Sequence, residues 1–586
     1  MLDPKYLEKF SDQLLGIIDT LTIAIISDMA QRIVKMGNVS ESTKHQAEVL
    51  QNAGLVYKDT IKRVSQVSGY QKHEVQRMYE EAGVRNLKNE AVYYKQAGKE
   101  DIKLNQSNGM QRILQANIRK TCQELDNLTM TTAVRSQSAY IQACNRAQMK
   151  VSSGAFSYDK AIADAIKEAA VQGTEVLYPS QHVDKLDVAV RRAVLTGVNQ
   201  TAAEMNLQYA KDQNCDYVET TAHEGARPEH AVWQGKVFCL SGTDPKYENF
   251  YEATGYGTGP GLCGWNCRHN FHAFFPGIST PAYTQEMLDD YSAKNVEYNG
   301  KQFTEYEAGQ MQRGHERQIR ETKRKLAGYN SAISEAKDDL KNTLQNRFNE
   351  ESVRLKKQEA ALKVFCKETG RRYESARVQI HAVKNKAGDI VGFNRSVAQK
   401  AVWQDRKNIF KNQMSKQLEK LAEEEKKAIW RYTGNAANRV NSAIYSGKQQ
   451  RIDQEKGFMD LLDSALSKGT AEHKMVVHRD TIPEYLNAFP KGFQYSEEDI
   501  KRMNGMTLTN KGYTSTSFHD IMYQGRNVHL EIEIPKGYKG CLYIKDVATE
   551  KYKNQEEVLF KRGFQYKIKS VNKEKDRYYI KAEAVL

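Results

Sequence analysis

Residues 552–568 read YKNQEEVLFKRGFQYKI: a polar turn, an acidic pair, a three-residue apolar run, a Lys-Arg-Gly turn and a second alternating run. Short apolar runs with period two, broken by glycine, are the pattern of half-buried strands. The same texture continues in both directions. MVVHR at 475–479, YTSTS at 513–517, VHLEIEI at 528–534, CLYIK at 541–545 and YYIKAEAVL at 578–586 read as further strands. LAEEEKKAIWRYTG at 421–434 reads as a helix leading into them. Residues 397–586 are therefore expected to form an autonomous α+β domain, an antiparallel-rich β-sandwich core with N-terminal helices.

Three pieces of this domain carry chemistry. Arg479 ends an apolar strand, where its guanidinium fork could clamp a pyrophosphate bidentately. Ser515, Thr516 and Ser517 form a hydroxyl cluster able to bond sugar hydroxyls or a carboxylate. Gln555, Glu556 and Glu557 read as the start of a strand, and alternation then puts Gln555 and Glu557 on one face. A carboxylate beside a departing ribosyl group can hold its 2′-hydroxyl and stabilise an oxocarbenium-like transition state. Each piece alone has a bland surface reading; their order, spacing and setting together carry the argument.

With these motifs, residues 397–586 resemble the ADP-ribosyltransferase exoenzyme family of the C3-like and binary-toxin type, whose signature is Arg…Ser-Thr-Ser…Gln/Glu-x-Glu. EEEKKAIWRYTGNAANRVNSAI (423–444) resembles the family's leading helices and VVHRD (476–480) its arginine strand. KGYTSTSF (511–518) resembles the Ser-Thr-Ser strand, YQGRNVHLEIEIPKG (523–537) the phosphate–nicotinamide segment, and YKNQEEVLFKRGFQYKI the catalytic loop and strand. The resemblance implies NAD as substrate, bound in a cleft between two packed sheets, and an acceptor protein. By position, Arg479 would bind the NAD phosphates and Asn441 would contact NAD. Ser515 would orient the catalytic carboxylate and the nicotinamide ribose, with Thr516 and Ser517 in support. Tyr523 and Arg526 match the aromatic and basic positions of the phosphate–nicotinamide loop. Glu557 would be the catalytic carboxylate and Gln555 the residue that fixes the acceptor. Two departures stand out. The family's arginine four residues after the asparagine is Tyr445 here. Gln555 stands where arginine-modifying members have glutamate, as in the subgroup that modifies asparagine; an amide can hydrogen-bond an acceptor but cannot serve as the base a guanidinium needs.

The rest of the chain has a different texture. Residues 1–175 read as helical, with Leu7, Phe10, Leu14, Ile18, Leu21, Ile25 and Met29 on one helix face. Between Cys215 and Gly277 glycine, proline, aromatic, cysteine and histidine residues crowd into a compact, turn-rich module. From Thr304 to Thr369 a charged helical hairpin or arm with a narrow apolar seam is expected, and its run GHERQIRETKRK (314–325) reads as a solvated face. A turn-rich patch, NKAGDIVGFN, follows at 385–394.

AVRRAVLTGVNQTAAEMN (189–206), AHEGARPEHAVWQGKVF (222–238), GYGTGPGLCGWNCRHNFHAFFPGIS (255–279) and YEAGQMQRGHERQIRETKR (306–324) resemble phage minor capsid proteins of the Mu F-like head-morphogenesis type. That resemblance implies a place in the virion head near the portal, with portal and capsid proteins as partners. The expected boundaries are a helical region at 1–175, the minor-capsid module at 176–280, a charged helical arm at 281–396 and the transferase at 397–586.

His223, His230, Cys263, Cys267, His269 and His272 invite a zinc reading, since thiolate and imidazole are its preferred ligands. No second pair matches the Cys-x3-Cys spacing. The reading taken is a packed Gly/aromatic core with backbone-bonded histidines and buried thiols, and no metal is assigned.

Across 586 residues, 87 Lys+Arg against 73 Asp+Glu give a net charge of +14, which suits a negatively charged partner or is spread over long helices. Eight scattered cysteines form no disulfide framework and point to a reducing cytosol. Charged residues precede any apolar run, which argues against a signal peptide, and Leu14–Ile26 is too short to span a bilayer. The alternative is a purely structural, DNA-contacting head protein with an inactive transferase domain, its attraction to DNA limited to the backbone.

Overall fold

The computed structural model describes all residues except 1, 3–5, 7–11, 37–41, 381–382, 385–389, 487–495, 519–524 and 575–576. Leu7, Phe10, half of the 385–394 patch and Tyr523 lie outside the described residues. The chain divides into two compact units, Met1–Val402 and Trp403–Leu586.

Among the described residues the first unit is built on seven long helices: α1 (Asp12–Lys35), α2 (Ser42–Gln96), α3 (Asn108–Ser152), α4 (Tyr158–Gln172), α5 (Leu186–Asp212), α6 (Glu305–Glu335) and α7 (Asp338–Glu368). Their ends are chemically marked. Ser107 accepts the Met110 N–H at the start of α3, and Thr304 with Glu307 forms a capping box at α6. The α1 stripe of Leu14, Ile18, Leu21, Ile25 and Met29 is fully buried, in one cluster with Leu326, Tyr329, Leu344 and Phe348 of the α6–α7 hairpin. The charged hairpin is therefore part of this unit's core and no separate arm.

Two sequence readings change with this packing. Glu316, Arg320, Lys323, Arg324 and Lys325, expected on a solvated face, are buried. Acidic partners from distant segments make this tolerable: Arg320 donates to Asp19 at 2.5 Å and to Asp187 at 2.9 Å, and Arg324 to Asp187 at 2.5 Å. The apolar stretch also runs on to Lys35, so by length and composition the helix Leu14–Lys35 could cross a membrane. Here it is a core helix, and its Asp19 is neutralised from α6.

Residues 215–277 form the compact module. Strands β1 (Tyr217–Thr220), β2 (Val237–Cys239) and β3 (Phe271–Ala273) pair antiparallel in the order β2-β1-β3 around Val218, Trp233, Phe238, Phe250 and Phe271. The glycine-rich loop closes on itself so tightly that a Cβ at Gly261 would sit 2.0 Å from the Gly255 carbonyl oxygen.

Beyond α8 (Arg395–Gln417) the second unit holds α9 (Glu423–Arg431), a π-helical segment Tyr432–Ala436, α10 (Ala437–Ser446) and α11 (Gln449–Ser467). Eight strands follow: β4 (Met475–Thr481), β5 (Thr507–Asn510), β6 (Thr514–Ser517), β7 (Val528–Ile534), β8 (Cys541–Tyr543), β9 (Glu557–Phe560), β10 (Phe564–Glu574) and β11 (Arg577–Ala584). They connect in the order β5-β10-β11-β7-β4-β6-β9-β8, antiparallel except for β7 with β11. A single rung, His478 opposite Ser517, joins the five-strand part to the three-strand part. Alternation explains the layering. Cys541, Tyr543, Val558 and Phe560 share a core with Val477, Leu530 and Ile532 of the five-strand part. Leu542 and Leu559, pointing the other way, pack with Ile429, Val440 and Leu462 of the helices.

Candidate active site

The site is built where three adjacent strands, β4, β6 and β9, meet the helices. β6 and β9 pair antiparallel, with Ser515 opposite Leu559 and Ser517 opposite Glu557. Ser515 and Glu557 are thus diagonal neighbours, close enough for side chains to meet. The Ser515 hydroxyl is placed to donate to the Glu557 carboxyl. Burial pushes that carboxyl above its ordinary range, against the opposing pull of the Ser515 hydrogen bond and the Arg479 charge. Arg479, half-exposed near the end of β4, donates through Nη1 to the Ser515 carbonyl at 3.4 Å. Arg479, Ser515 and Glu557 therefore lie in one place.

The neighbouring hydroxyls hold the strands. Thr516 donates to the Val558 carbonyl at 2.8 Å and Ser517 to the Gln555 carbonyl at 2.6 Å. Asn441 on α10 ties the helices to β6: it accepts the Tyr513 N–H at 2.9 Å and donates to the Tyr432 hydroxyl at 3.1 Å. Gly512 is needed for this approach, since a Cβ there would lie 2.4 Å from Asn441 Oδ1.

Tyr432 was not singled out by sequence reading. It is fully buried, burial drives its hydroxyl far above the ordinary phenol range, and that hydroxyl accepts from Asn441 at 3.1 Å with Ser515 and Glu557 nearby. It opens the π-helical segment, a local widening of the helix that recurs at functional sites. The only signal was the Tyr-Thr of the leading-helix motif.

Gln555 differs from the reading. It ends a 3-10 turn (Glu550–Gln555), and Glu556 takes a left-handed backbone with φ 47° and ψ 51°, so the strand begins only at Glu557. Period-two alternation therefore does not relate Gln555 to Glu557; the kink at Glu556 does. The Glu556 carboxylate pairs with Lys411 and, at 3.8 Å, Lys545. Arg526 is exposed ahead of β7. Tyr445, which replaces the family's arginine, is partly exposed, and its neighbourhood includes the buried Tyr566 and Arg479.

In the first unit the six zinc candidates separate. His230, Cys267 and His269 come together, all buried. Cys263 turns its thiol to the His269 carbonyl at 3.4 Å, His223 stacks on His269 at 4.3 Å, and His272 stacks on Tyr93 at 4.0 Å.

The chain belongs to the phage minor capsid protein 2 family, whose profile matches residues 2–367. A second profile, ADP-ribosyltransferase exoenzyme, matches residues 407–586, and that family uses NAD as its substrate. Among individual proteins, the chain is 27% identical over 228 residues to a structural protein of Lactococcus phage LL-H, covering 36% of this chain and 58% of that protein. It is 28% identical over 199 residues to the epidermal cell differentiation inhibitor of Staphylococcus aureus, covering 30% of this chain and 78% of that protein. Similar solved structures include Plx2a, an ADP-ribosyltransferase toxin from Paenibacillus larvae (26% identity, 31% of this chain and 96% of that one, TM-score 0.27). C3stau2 from S. aureus with NAD is another (26% identity, 30% and 93%, TM-score 0.27).

Proposed function

We propose that Trp403–Leu586 is an NAD-dependent protein mono-ADP-ribosyltransferase carried by a minor head protein of a phage. The observation that carries the reading is the buried Glu557 carboxyl, held by Ser515 beside the Arg479 guanidinium. A buried carboxylate with a single hydroxyl donor and a nearby cation is costly to fold around, and a reaction that develops positive charge gives it a use.

Arg479 takes the NAD pyrophosphate, and Asn441 and Tyr432 shape the wall beside it. Glu557, as carboxylate, holds the 2′-hydroxyl of the nicotinamide ribose. The N-glycosidic bond breaks with its electron pair going to the nicotinamide nitrogen, which leaves neutral, and the carboxylate stabilises the positive charge left on the ribose. An acceptor side-chain nitrogen then bonds C1′ and loses its proton to solvent. Gln555, at the turn before the strand, hydrogen-bonds the acceptor, which favours an amide such as asparagine over a guanidinium. Thr516 and Ser517 hold the strands, and Arg526 and Tyr523 belong to the NAD-binding loop.

The first unit attaches the chain to the phage head, with portal and capsid proteins as partners and DNA phosphates attracted by its surplus positive charge. Family membership and the phage structural relative support this placement. The test incubates the full chain with labelled NAD and a bacterial host lysate, then identifies the labelled band and residue. Label that appears with the wild-type chain and not with Glu557→Gln supports the reading; equal labelling by both overturns it.

A further inference from the structure

The first unit contains a constellation that the transferase reading does not use. Nδ1 of His230, Nδ1 of His269 and Sγ of Cys267 form a triangle with sides of 3.4, 3.6 and 3.6 Å. For metal–nitrogen bonds of about 2.0–2.1 Å and a metal–sulfur bond of about 2.3 Å, tetrahedral angles give edges of about 3.4 Å between nitrogens and about 3.6 Å from nitrogen to sulfur. The three sides match that set.

Hydrogen bonding fixes which ring nitrogens face inward. Gln234 Oε1 accepts the His223 backbone N–H at 3.2 Å, which establishes it as the oxygen, and it stands 3.0 Å from His269 Nε2. His269 therefore carries its proton on Nε2. His230 Nε2 lies 2.8 Å from the Pro260 carbonyl and 3.0 Å from Arg227 Nη2. The carbonyl can only accept and is nearer, so this proton is also on Nε2. Both Nδ1 lone pairs then face each other, and the one Cys267 S–H can satisfy only one of them, whereas a cation between the three would satisfy all. Outer hydrogen bonds that orient imidazoles in this way are the usual support of a metal ligand.

The same three residues line a cavity of about 500 Å³ whose wall carries nine arginines, Arg227 and Arg313 among them, against Asp187, Glu224, Glu305 and Glu316, and so a positive excess. Burial, then Arg268, Arg377 and Arg191, pushes the Arg313 guanidinium down to about 10, a sign of crowded positive charge. Such a wall opposes a bare dication. One thiolate and one hydroxide cancel both charges of the metal, and the wall favours the anionic oxygen over water.

We propose that His230, Cys267 and His269 bind one zinc ion, whose fourth position opens to the arginine-lined cavity and holds a hydroxide oxygen. Three protein ligands with one exchangeable position is the arrangement of reactive zinc sites, whereas purely structural sites are closed by four protein ligands.

X-ray absorption on the full wild-type chain loaded with zinc alone tests this without any substitution. The expected first shell is one sulfur, two imidazole nitrogens and one oxygen. Two sulfurs, which would bring in Cys263, or a shell of oxygen alone overturns it. Cobalt titration of the metal-free chain supplies the second readout. A thiolate-to-cobalt charge-transfer band should appear in the wild type and in Cys263→Ser and vanish in Cys267→Ser. Its absence from the wild type, or its persistence in Cys267→Ser, overturns the ligand set.

Discussion

Ser515 and Glu557 sit on a diagonal across neighbouring antiparallel strands: Ser515 stands opposite Leu559, and Glu557 opposite Ser517. The diagonal lets an exposed hydroxyl reach a buried carboxyl, so the acid sits at the inner end of the site with its donor towards solvent.

Glu557→Gln and Glu557→Ala are expected to lower both NAD hydrolysis and transfer by roughly 10²-fold or more, the scale for removing an electrostatic contact to the transition state. Single-turnover nicotinamide release measures it. Near-normal cleavage by either variant removes Glu557 from the chemistry.

The pH profile follows from the raised carboxyl. Glu557 acts ionised, so activity should rise with pH through a limb above about 4.3, the ordinary glutamate value. Ser515 donates to the ionised form and lowers the pKa, so Ser515→Ala should move the limb to higher pH. A limb that stays put or moves down contradicts the hydrogen bond's role.

Gln555→Ala should impair transfer and leave NAD hydrolysis largely intact, because it meets the acceptor and not the departing nicotinamide. Equal loss of the two activities would end the acceptor assignment.

Tyr432→Phe keeps the ring and removes the hydroxyl that accepts from Asn441 beside Ser515. A loss of about fivefold to tenfold in kcat/KM is expected, on the order of one hydrogen bond of about 1 kcal/mol. Unchanged kinetics would make this buried tyrosine a packing residue only.

Arg320→Ala should destabilise the first unit by roughly 3–5 kcal/mol, because it leaves Asp19 and Asp187 buried with less countercharge. Urea unfolding followed by helical circular dichroism reads the shift. A change below about 1 kcal/mol would mean the pair is effectively solvated.

The α+β character of the last domain and the trio Arg479, Ser515 and Glu557 were legible because strand alternation and motif order are local properties. Tyr432 was not, since its place depends on a π-helical widening that no residue pattern announces. Gln555 was misplaced because one left-handed residue, Glu556, breaks an alternation that its residue type does not betray. The charged run at 314–325 read as solvated because its partners, Asp19 and Asp187, lie more than a hundred residues away. Among the zinc candidates, sequence spacing drew attention to Cys263 with Cys267, whereas the folded loop turns Cys263 to a carbonyl and brings His269 in instead.

The Asp19–Arg320 pair spans 301 residues, and this sets a clock on synthesis. At roughly 5–20 residues per second, Asp19 is added to the chain about 15–60 seconds before its arginine. Throughout that interval the apolar helix Leu14–Lys35 exists without the hairpin that covers it in the finished protein. The first unit must therefore complete its core late, only after the α6–α7 segment has been made.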